Sequence, residues 1–553
     1  MFGCRTGRVP MNEGILIAGT EVAGTVSDAP LDTSLSETKS TGQSVEHQAQ
    51  LKELNGFLKE FCEHEKAWRL GEALEILRKA IIKYPYSAAL HFNLTEIFKK
   101  QGRQREAIST ARRTLRLDPA NTQIYNSLLF TLHYLEESKP EELFEMINSY
   151  SRMHFHETDL VPRHLLAPVR NRKRIRIAFA SPDFRRHSVT HFIEPVMKHL
   201  NRSRFEIFGY SYSRNPLDQF TDILKSYCET WRDFKSEDFE SMAKEILEDK
   251  PDIFVDLAGH SADNVLPLLA ARMAPIQCTY LGYPNTTGLK TVDYRIVDVH
   301  TDPPGLTEKI STEKLIRLPE SMWCFNPLTE VDFDPIPPHE KVGYFTFGTF
   351  NYLPKLNDTH LRRWAKLLRK TPNSRIMIKS LTLNDKPTCD QYFKRLIALD
   401  FPMKQITLCG GRSHEDHLRV YNVVDVGLDP YPYHGTTTTC EALWMGVPVI
   451  TMAGPSHVSR VGASLLHSVG LSDLVAQNED EYIEKAFALA TDHERLREIR
   501  STLRERMQKS ALMDPKIFVP QLEEAFEEML RRKEHPMARK KISGKKARVR
   551  NSG

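Results

Sequence analysis

Short apolar runs alternate with helical stretches in two successive series from residue 175 onward, and no other feature narrows the fold as much. In the first series residues 175–180, 205–210 and 253–257 read as strands, with helices over 238–247 and 264–273. A proline-rich passage, 327–338, separates it from a second series. There, strands at 344–350, 375–379, 405–409, 423–428 and 448–452 alternate with helices and end in a long charged helix, 520–532. Alternation of this kind predicts parallel sheets covered on both faces. Such sheets bind ligands on the loops that follow their strands. His187 and the turn Gly259-His260-Ser261 fall on loops of that type.

The most informative loop is His434-Gly435-Thr436-Thr437-Thr438-Thr439-Cys440-Glu441-Ala442-Leu443-Trp444, which follows the strand at 423–428 and the turn Asp429-Pro430-Tyr431-Pro432 and opens into a helix. A glycine lets the backbone approach a ligand, and a helix start offers N–H groups and the positive end of its dipole to an anion. Strand, loop and helix in that order make a phosphate site. Four consecutive threonines add hydroxyls at the same place. Glu441, inside the helix, is placed to accept from sugar hydroxyls. The competing reading is a threonine N-cap with Glu441 closing a capping box.

Upstream, helical patterning begins near residue 50 and repeats. Ala73 and Ala107, Leu77 and Ala111, Ile81 and Leu115, Pro85 and Pro119, and Leu94 and Leu128 are each 34 residues apart. That period, with small residues where paired helices touch and a proline after the second helix, resembles the tetratricopeptide repeat. Residues 48–160 read as two full repeats and a fragment, with Asp118-Pro119-Ala120-Asn121 as a repeat boundary. Such repeats bind proteins and carry no chemistry. The region is therefore read as a dock for protein acceptors, adaptors or a second copy of the chain.

Composition is that of an ordinary globular chain, 40% hydrophobic and 27% charged over 553 residues, with room for about three domains. The formal charge of +4 is set by one end. Residues 531–553 carry ten Lys/Arg against one Glu, so the rest of the chain is net negative. Residues 534–553 read as a disordered basic tail and 1–47, rich in Gly, Ser and Thr, as a disordered N-terminus; nucleic acid is not the expected partner. No apolar run reaches the length of a membrane span, and residues 14–26 lack the compact apolar stretch and cleavage site of a signal peptide. The eight cysteines are scattered with no CxxC pair. That argues against zinc and against a disulfide scaffold, and for a reducing, cytoplasmic or nuclear setting.

Four separated passages carry a family resemblance. They are Ser181-Pro182-Asp183-Phe184-Arg185-Arg186-His187; Ala274-Pro275-Ile276-Gln277 with Leu281-Gly282-Tyr283-Pro284-Asn285-Thr286-Thr287-Gly288; Phe350-Asn351-Tyr352-Leu353-Pro354-Lys355; and the loop from His434 to Trp444. Together with the repeats they resemble the protein O-glycosyltransferases of glycosyltransferase family 41, the O-GlcNAc transferases and their Spindly-type relatives, over residues 60–530 or so. The resemblance implies an α/β chain of GT-B fold. Two doubly wound Rossmann-like domains, at 161–330 and 331–533, would face each other across a cleft, the second holding the nucleotide. It further implies transfer of one sugar from a nucleotide diphosphate sugar to Ser or Thr hydroxyls of proteins, with inversion at the anomeric carbon.

Stabilising a departing diphosphate needs cations and N–H donors rather than a nucleophile. By the resemblance, Lys355 contacts that diphosphate. His187 faces the cleft from the other domain, where it takes the acceptor proton or orients donor and acceptor. Asn351, Arg412, His414, His417, His434, Gly435, Thr436, Thr437, Thr438 and Glu441 are the implied nucleotide-sugar contacts. Gly259, His260, Tyr283, Pro284, Asn285 and Thr286 are the implied acceptor or cleft residues. Asp332-Phe333-Asp334 has the letters of the DxD motif of metal-dependent transferases, but it lies in the proline-rich linker and not at a strand end. No metal cofactor is expected.

Donor identity divides the resemblance. The stretches 284–288 and 259–262 and the threonine run are similar to the Spindly branch, whose plant member uses GDP-fucose. His414 stands where the O-GlcNAc branch has a lysine that helps hold the uridine, whereas His417 matches. UDP-GlcNAc is the family-level donor and GDP-fucose the alternative. Two readings from other classes compete. A sugar-nucleotide epimerase has no use for protein-binding repeats, and a non-catalytic repeat scaffold has no reason to keep His187, Lys355, the threonines and Glu441 together.

Overall fold

The computed structural model describes residues 41–155, 172–234 and 239–534. Most of the expected unordered N-terminus, the connector at 156–171 and the basic tail from 535 lie outside the described residues. The described chain begins with six helices, α1 (Thr41–Lys66), α2 (Leu70–Lys83), α3 (Ala88–Lys100), α4 (Gln104–Leu117), α5 (Thr122–Leu132) and α6 (Pro140–His154). α1 therefore starts ahead of residue 48. The starts of α2 and α4, and of α3 and α5, are 34 residues apart, so the sequence period is also the structural one. Ala73, Ala80, Ala107 and Ala111 are fully buried where these helices touch. Pro140 sits in the first turn of α6, where a missing N–H is tolerated, so the fragment after the second repeat continues into a further helix.

The first sheet comprises β1 (Ile175–Ser181), β2 (Phe205–Ser211), β3 (Thr230–Asp233), β4 (Ile253–Asp256), β5 (Ile276–Thr279), β6 (Tyr294–Asp298) and β7 (Lys314–Leu318), with α7 (Thr190–His199), α8 (Gln219–Ser226), α9 (Phe239–Asp249) and α10 (Leu266–Ala271) between its earlier strands. Its order is β3-β2-β1-β4-β5-β6-β7, all parallel. β5, β6 and β7 escape a reading based on strand-helix alternation, because no α-helix separates them. β1 shows why a parallel core strand is mostly apolar: Ile177, Ala178, Phe179 and Ala180 are all buried.

The second sheet contains β8 (Phe345–Thr349), β9 (Ser374–Lys379), β10 (Ile406–Cys409), β11 (Val426–Leu428), β12 (Val449–Met452) and β13 (Val475–Ala476). Around it lie α11 (His339–Val342), α12 (Asp358–Lys370), α13 (Lys386–Ala398), α14 (His414–Val420), α15 (Thr437–Trp444), α16 (Val461–Ser468), α17 (Glu479–Thr491), α18 (His493–Gln508) and α19 (Pro515–Glu534). Its order, β10-β9-β8-β11-β12-β13, repeats the pattern of the first. The order reverses between β1 and β4 in one sheet and between β8 and β11 in the other. At such a switch point the loops diverge and leave a crevice at the strands' carboxyl ends. The loops singled out in the sequence leave from one of these four strands, from β5 or, for Arg412, His414 and His417, from the edge strand β10.

The two halves are tied together. α19 returns to the first sheet, where Glu523 accepts from the Asn201 N–H (2.7 Å) and from Arg204 (2.8 Å). A single apolar cluster extends from Ile177 in β1 through Phe347 in β8 to Met529 in α19. The helical repeats lean on both halves: Gln104 donates to the Pro354 carbonyl (2.7 Å), Asn357 donates to the Tyr134 carbonyl (3.1 Å), and His133 meets the Tyr283 hydroxyl (3.1 Å). Among the described residues no helix is long and apolar enough to cross a membrane.

Candidate functional site

Between the sheets lies a cavity of about 290 Å³, the size of a small-ligand pocket. His187 reaches it from the loop after β1, Tyr283 and Pro284 from the loop after β5, Asn351 and Lys355 from the loop after β8, and Thr436, Thr437, Thr438 and Glu441 from the start of α15, with His414 at the start of α14. Ten of the residues expected from the sequence thus share one space.

Lys355 links the loop after β8 to the loop that precedes α15. Its Nζ donates to the His434 carbonyl (2.9 Å) and to Asn351 Oδ1 (3.4 Å), and it lies 4.6 Å from the centre of the Tyr433 ring. Burial lowers its pKa below the ordinary lysine value, and the nearby Asp429 carboxylate pulls it back up. Asn351 Oδ1 also accepts from Thr438 Oγ1 (3.1 Å), so one amide joins the lysine to the helix start. Thr436 occupies the N-cap position of α15 yet makes no side-chain capping bond, and Glu441 lies too deep in the helix to close a capping box. The capping reading is therefore excluded. Thr436, Thr437 and Thr438 line the cavity at the start of α15, where the helix dipole favours an anion, whereas the Thr439 hydroxyl donates back to the Gly435 carbonyl (3.0 Å).

Glu441 is buried at the other end of this wall. Burial pushes its pKa up, but His417, hydrogen-bonded to it, and the nearby His414 and His191 bring it below the usual glutamate value. His417 Nε2 donates to Glu441 Oε2 (3.1 Å) while its Nδ1 meets Lys379 Nζ (2.6 Å). Burial lowers Lys379 to about 8 and His414 to about 4. A neutral His414 beside an ionised Glu441 gives a pocket that can accept hydroxyls and stack a ring.

On the opposite wall, the Val189 N–H donates to His187 Nδ1 (3.3 Å), and Asp183 Oδ2 lies 3.5 Å from the same nitrogen. Moving the imidazole proton to Nδ1, toward Asp183, frees Nε2 to accept a proton. Burial holds the ring's pKa below its ordinary value.

Eight expected residues are placed elsewhere. His434 is a core strut: its Nδ1 accepts from the Gly462 N–H (3.0 Å), its Nε2 donates to the Met452 carbonyl (3.1 Å), and only its backbone carbonyl serves Lys355. The Gly435 N–H is spent on Asp429 Oδ1 (2.8 Å), and a Cβ at Gly435 would fall 2.4 Å from Thr438 Oγ1. Gly435 thus shapes the loop without offering a donor. His417 stands behind Glu441, and Arg412 is exposed outside the cavity lining. Gly259 (φ +55°) packs against Tyr283, where a Cβ would come within 2.4 Å. His260 bridges Asn126 (2.9 Å) and the Thr287 carbonyl (2.9 Å) at the junction with the repeats. Thr286 donates to Glu313 (2.6 Å), and Asn285 lies beside His133. All three belong to a supporting layer. Asp334 pairs with Lys341, and the Asp332-Phe333-Asp334 stretch does not line the cavity.

The cavity also recruits residues given no role from the sequence. Arg185 and Arg186 neighbour His187, and His191 follows it by one helical turn. Their basic character beside a motif histidine was a usable signal. Lys99, Phe130 and Tyr134 arrive from the repeats, and no local pattern announces them.

A profile described as Glycosyl transferase family 41 matches residues 155–326 and 338–522, covering both sheets and the loops that carry His187, Tyr283, Lys355, His414 and the threonines. The chain belongs to glycosyltransferase family 41. Its two facing sheets are the GT-B fold, preceded by the helical region. Among relatives of this family 41 chain, a Solanum lycopersicum protein named "Probable UDP-N-acetylglucosamine--peptide N-acetylglucosaminyltransferase SPINDLY" is 38% identical over 435 residues, 76% of this chain and 45% of that protein. An Arabidopsis thaliana protein whose name ends instead in SEC is 29% identical over 65% of this chain and 37% of its own length. The chain thus spans about half the length of the curated relatives it matches or less. A solved structure of a Thermobaculum terrenum O-GlcNAc transferase mutant superposes with a TM-score of 0.80 at 31% identity, over 86% of this chain and 90% of that one.

Proposed function

We propose that this family 41 chain transfers one sugar from a nucleotide diphosphate sugar to Ser or Thr hydroxyls of proteins, with inversion at the anomeric carbon. One observation carries the reading: the Lys355 ammonium is held beside the start of α15, in a cavity that His187 enters from the other sheet. The diphosphate would lie on Lys355 and on the N–H and hydroxyl groups of Thr436, Thr437 and Thr438, with Glu441 and His414 toward the nucleoside. The acceptor oxygen attacks the anomeric carbon, and the bond to the β-phosphate oxygen breaks with its electron pair leaving on the diphosphate. The acceptor proton passes to His187 Nε2. Fixed donors stabilise the charge that grows on the leaving group, in a space where water competes little.

UDP-GlcNAc is the donor favoured by the names of the relatives and of the Thermobaculum terrenum structure. GDP-fucose is the second reading, favoured by a neutral His414 rather than a lysine beside Glu441 and by the four-threonine loop. Lys99, Phe130 and Tyr134 bring the repeats to the cavity wall, which suits an acceptor protein held between repeats and first sheet. Adaptors or a second copy would dock on the same helices, in a cytoplasmic or nuclear setting.

The test is a thermal-shift series with UDP, UDP-GlcNAc, GDP and GDP-fucose, followed by transfer to a Ser/Thr peptide from whichever donor stabilises. A ligand at a hundredfold its Kd stabilises the native state by about 2.7 kcal/mol. A rise with the uridine pair alone assigns UDP-GlcNAc, and one with the guanosine pair alone assigns GDP-fucose. No rise with any of the four contradicts the transferase reading.

A further inference from the structure

We infer that His191, His414 and Glu441 form a site for a late transition-metal ion, zinc above all, that bridges the two halves of the molecule. His191 stands in the first turn of α7, over the first sheet, whereas His414 and Glu441 open α14 and lie in α15, over the second. One ligand atom from each lies within 4.8 Å of the other two. Two imidazoles and a carboxylate are a set that zinc takes in open sites, with water as the fourth ligand. Neighbouring ligands on tetrahedral zinc are about 3.3 Å apart, given bonds of about 2.0–2.1 Å, so side-chain rotations of about an ångström close the set.

The surroundings orient each ligand atom. His191 Nδ1 donates to the Asn326 carbonyl (2.7 Å), which leaves Nε2 with its lone pair, and the ring stacks on Phe325. Glu441 Oε2 is held by His417, which leaves Oε1, 4.0 Å from His414 Nδ1. Backing of this kind fixes the orientation and basicity of metal ligands. Arg186 faces His191 and His414, and Lys379 faces Glu441. Their repulsion makes the site suited to reversible occupancy rather than to a permanent structural ion.

A metal here would occupy the end of the cavity assigned to the nucleoside, so metal and donor exclude one another. That part rests on the functional reading above. The device is inhibitory: zinc would clamp the cleft shut across His191 and take Glu441 from the sugar hydroxyls. Magnesium and calcium, which prefer oxygen ligands, are poor occupants.

The test is zinc titration of the metal-stripped full chain, without donor, in competition with a chromophoric chelator. One zinc per chain is expected, with a Kd below about 10 µM and no displacement by magnesium. His191→Ala and His414→Ala should each weaken it by about tenfold or more, and the nucleoside diphosphate that raises the melting midpoint should displace it. Circular dichroism checks folding, and His191→Gln and His414→Asn replace either alanine variant that fails to fold. No zinc bound below about 100 µM, or binding that is unchanged in the variants, overturns the site. Residue-dependent zinc binding that no nucleoside diphosphate displaces upholds the metal site and overturns the nucleotide placement.

Discussion

Lys355→Ala is expected to cut sugar transfer by about a hundred- to a thousandfold or more, while the protein stays folded. The lysine is the cavity's link between the loop after β8 and the start of α15, through the His434 carbonyl and Asn351. In the proposed transfer its removal would take a full charge from beside the leaving diphosphate, which neither the threonine hydroxyls nor the helix dipole would replace. The fold should tolerate the loss, because the ammonium is held against its own burial penalty and its neighbours keep other partners: Asn351 Oδ1 retains Thr438, and Asp429 retains Gly435 and Thr451. Lys355→Arg should not restore activity, since a planar guanidinium does not fit between a carbonyl and the Tyr433 ring as a compact ammonium does. Steady-state rates and thermal melts of the three proteins decide the matter.

The same lysine sets an alkaline limit. Its working form is protonated, and burial lowers its pKa below 10.5. The rate at low donor concentration should therefore fall as pH rises through a value below that of a free lysine. Asp429 raises the Lys355 pKa, so Asp429→Asn should move this limb to lower pH. Asparagine can still accept from the Gly435 N–H, which keeps the loop in place.

His187→Ala should cost about a hundred- to ten-thousandfold in turnover. The base form is the neutral ring, and burial lowers its pKa below 6.5, so the wild-type rate should hold through pH 6.5 and fall only below it. The variant should lose that acid limb together with its rate. A variant that is slow but keeps the limb would show that His187 orients the substrates and that another group takes the proton.

Much of this site is visible in the sequence because each loop follows a strand of a parallel sheet, those of His187, Lys355 and the threonines at a switch point. The motif around Lys355 and the threonine run are contiguous, and their chemistry can be argued from a glycine, a helix start and a cation. What the sequence does not reveal is depth. His434, His417, His260 and Thr286 sit in the same motifs as the cavity residues, but their side chains turn into the core, where Met452, Lys379, Asn126 and Glu313 hold them. A motif fixes which residues lie in a loop and not which face the ligand. Lys99, Phe130 and Tyr134 are hidden for another reason, since helices far upstream place them by docking on the loop before Lys355. The same holds for the cluster of His191, His414 and Glu441, which arises only when two sheets face each other. Cysteine spacing, the usual sequence guide to zinc, does not bear on it.

The measurement that bears most directly on the function is a crystal structure of the chain with the nucleoside diphosphate that raises its melting midpoint. The diphosphate is expected in the cavity, with phosphate oxygens about 3 Å from Lys355 Nζ and from N–H groups at the start of α15, and with the nucleoside against His414 and Glu441. A nucleotide bound outside this cavity, with Lys355 still held by the His434 carbonyl and Asn351 and by no phosphate, would contradict it.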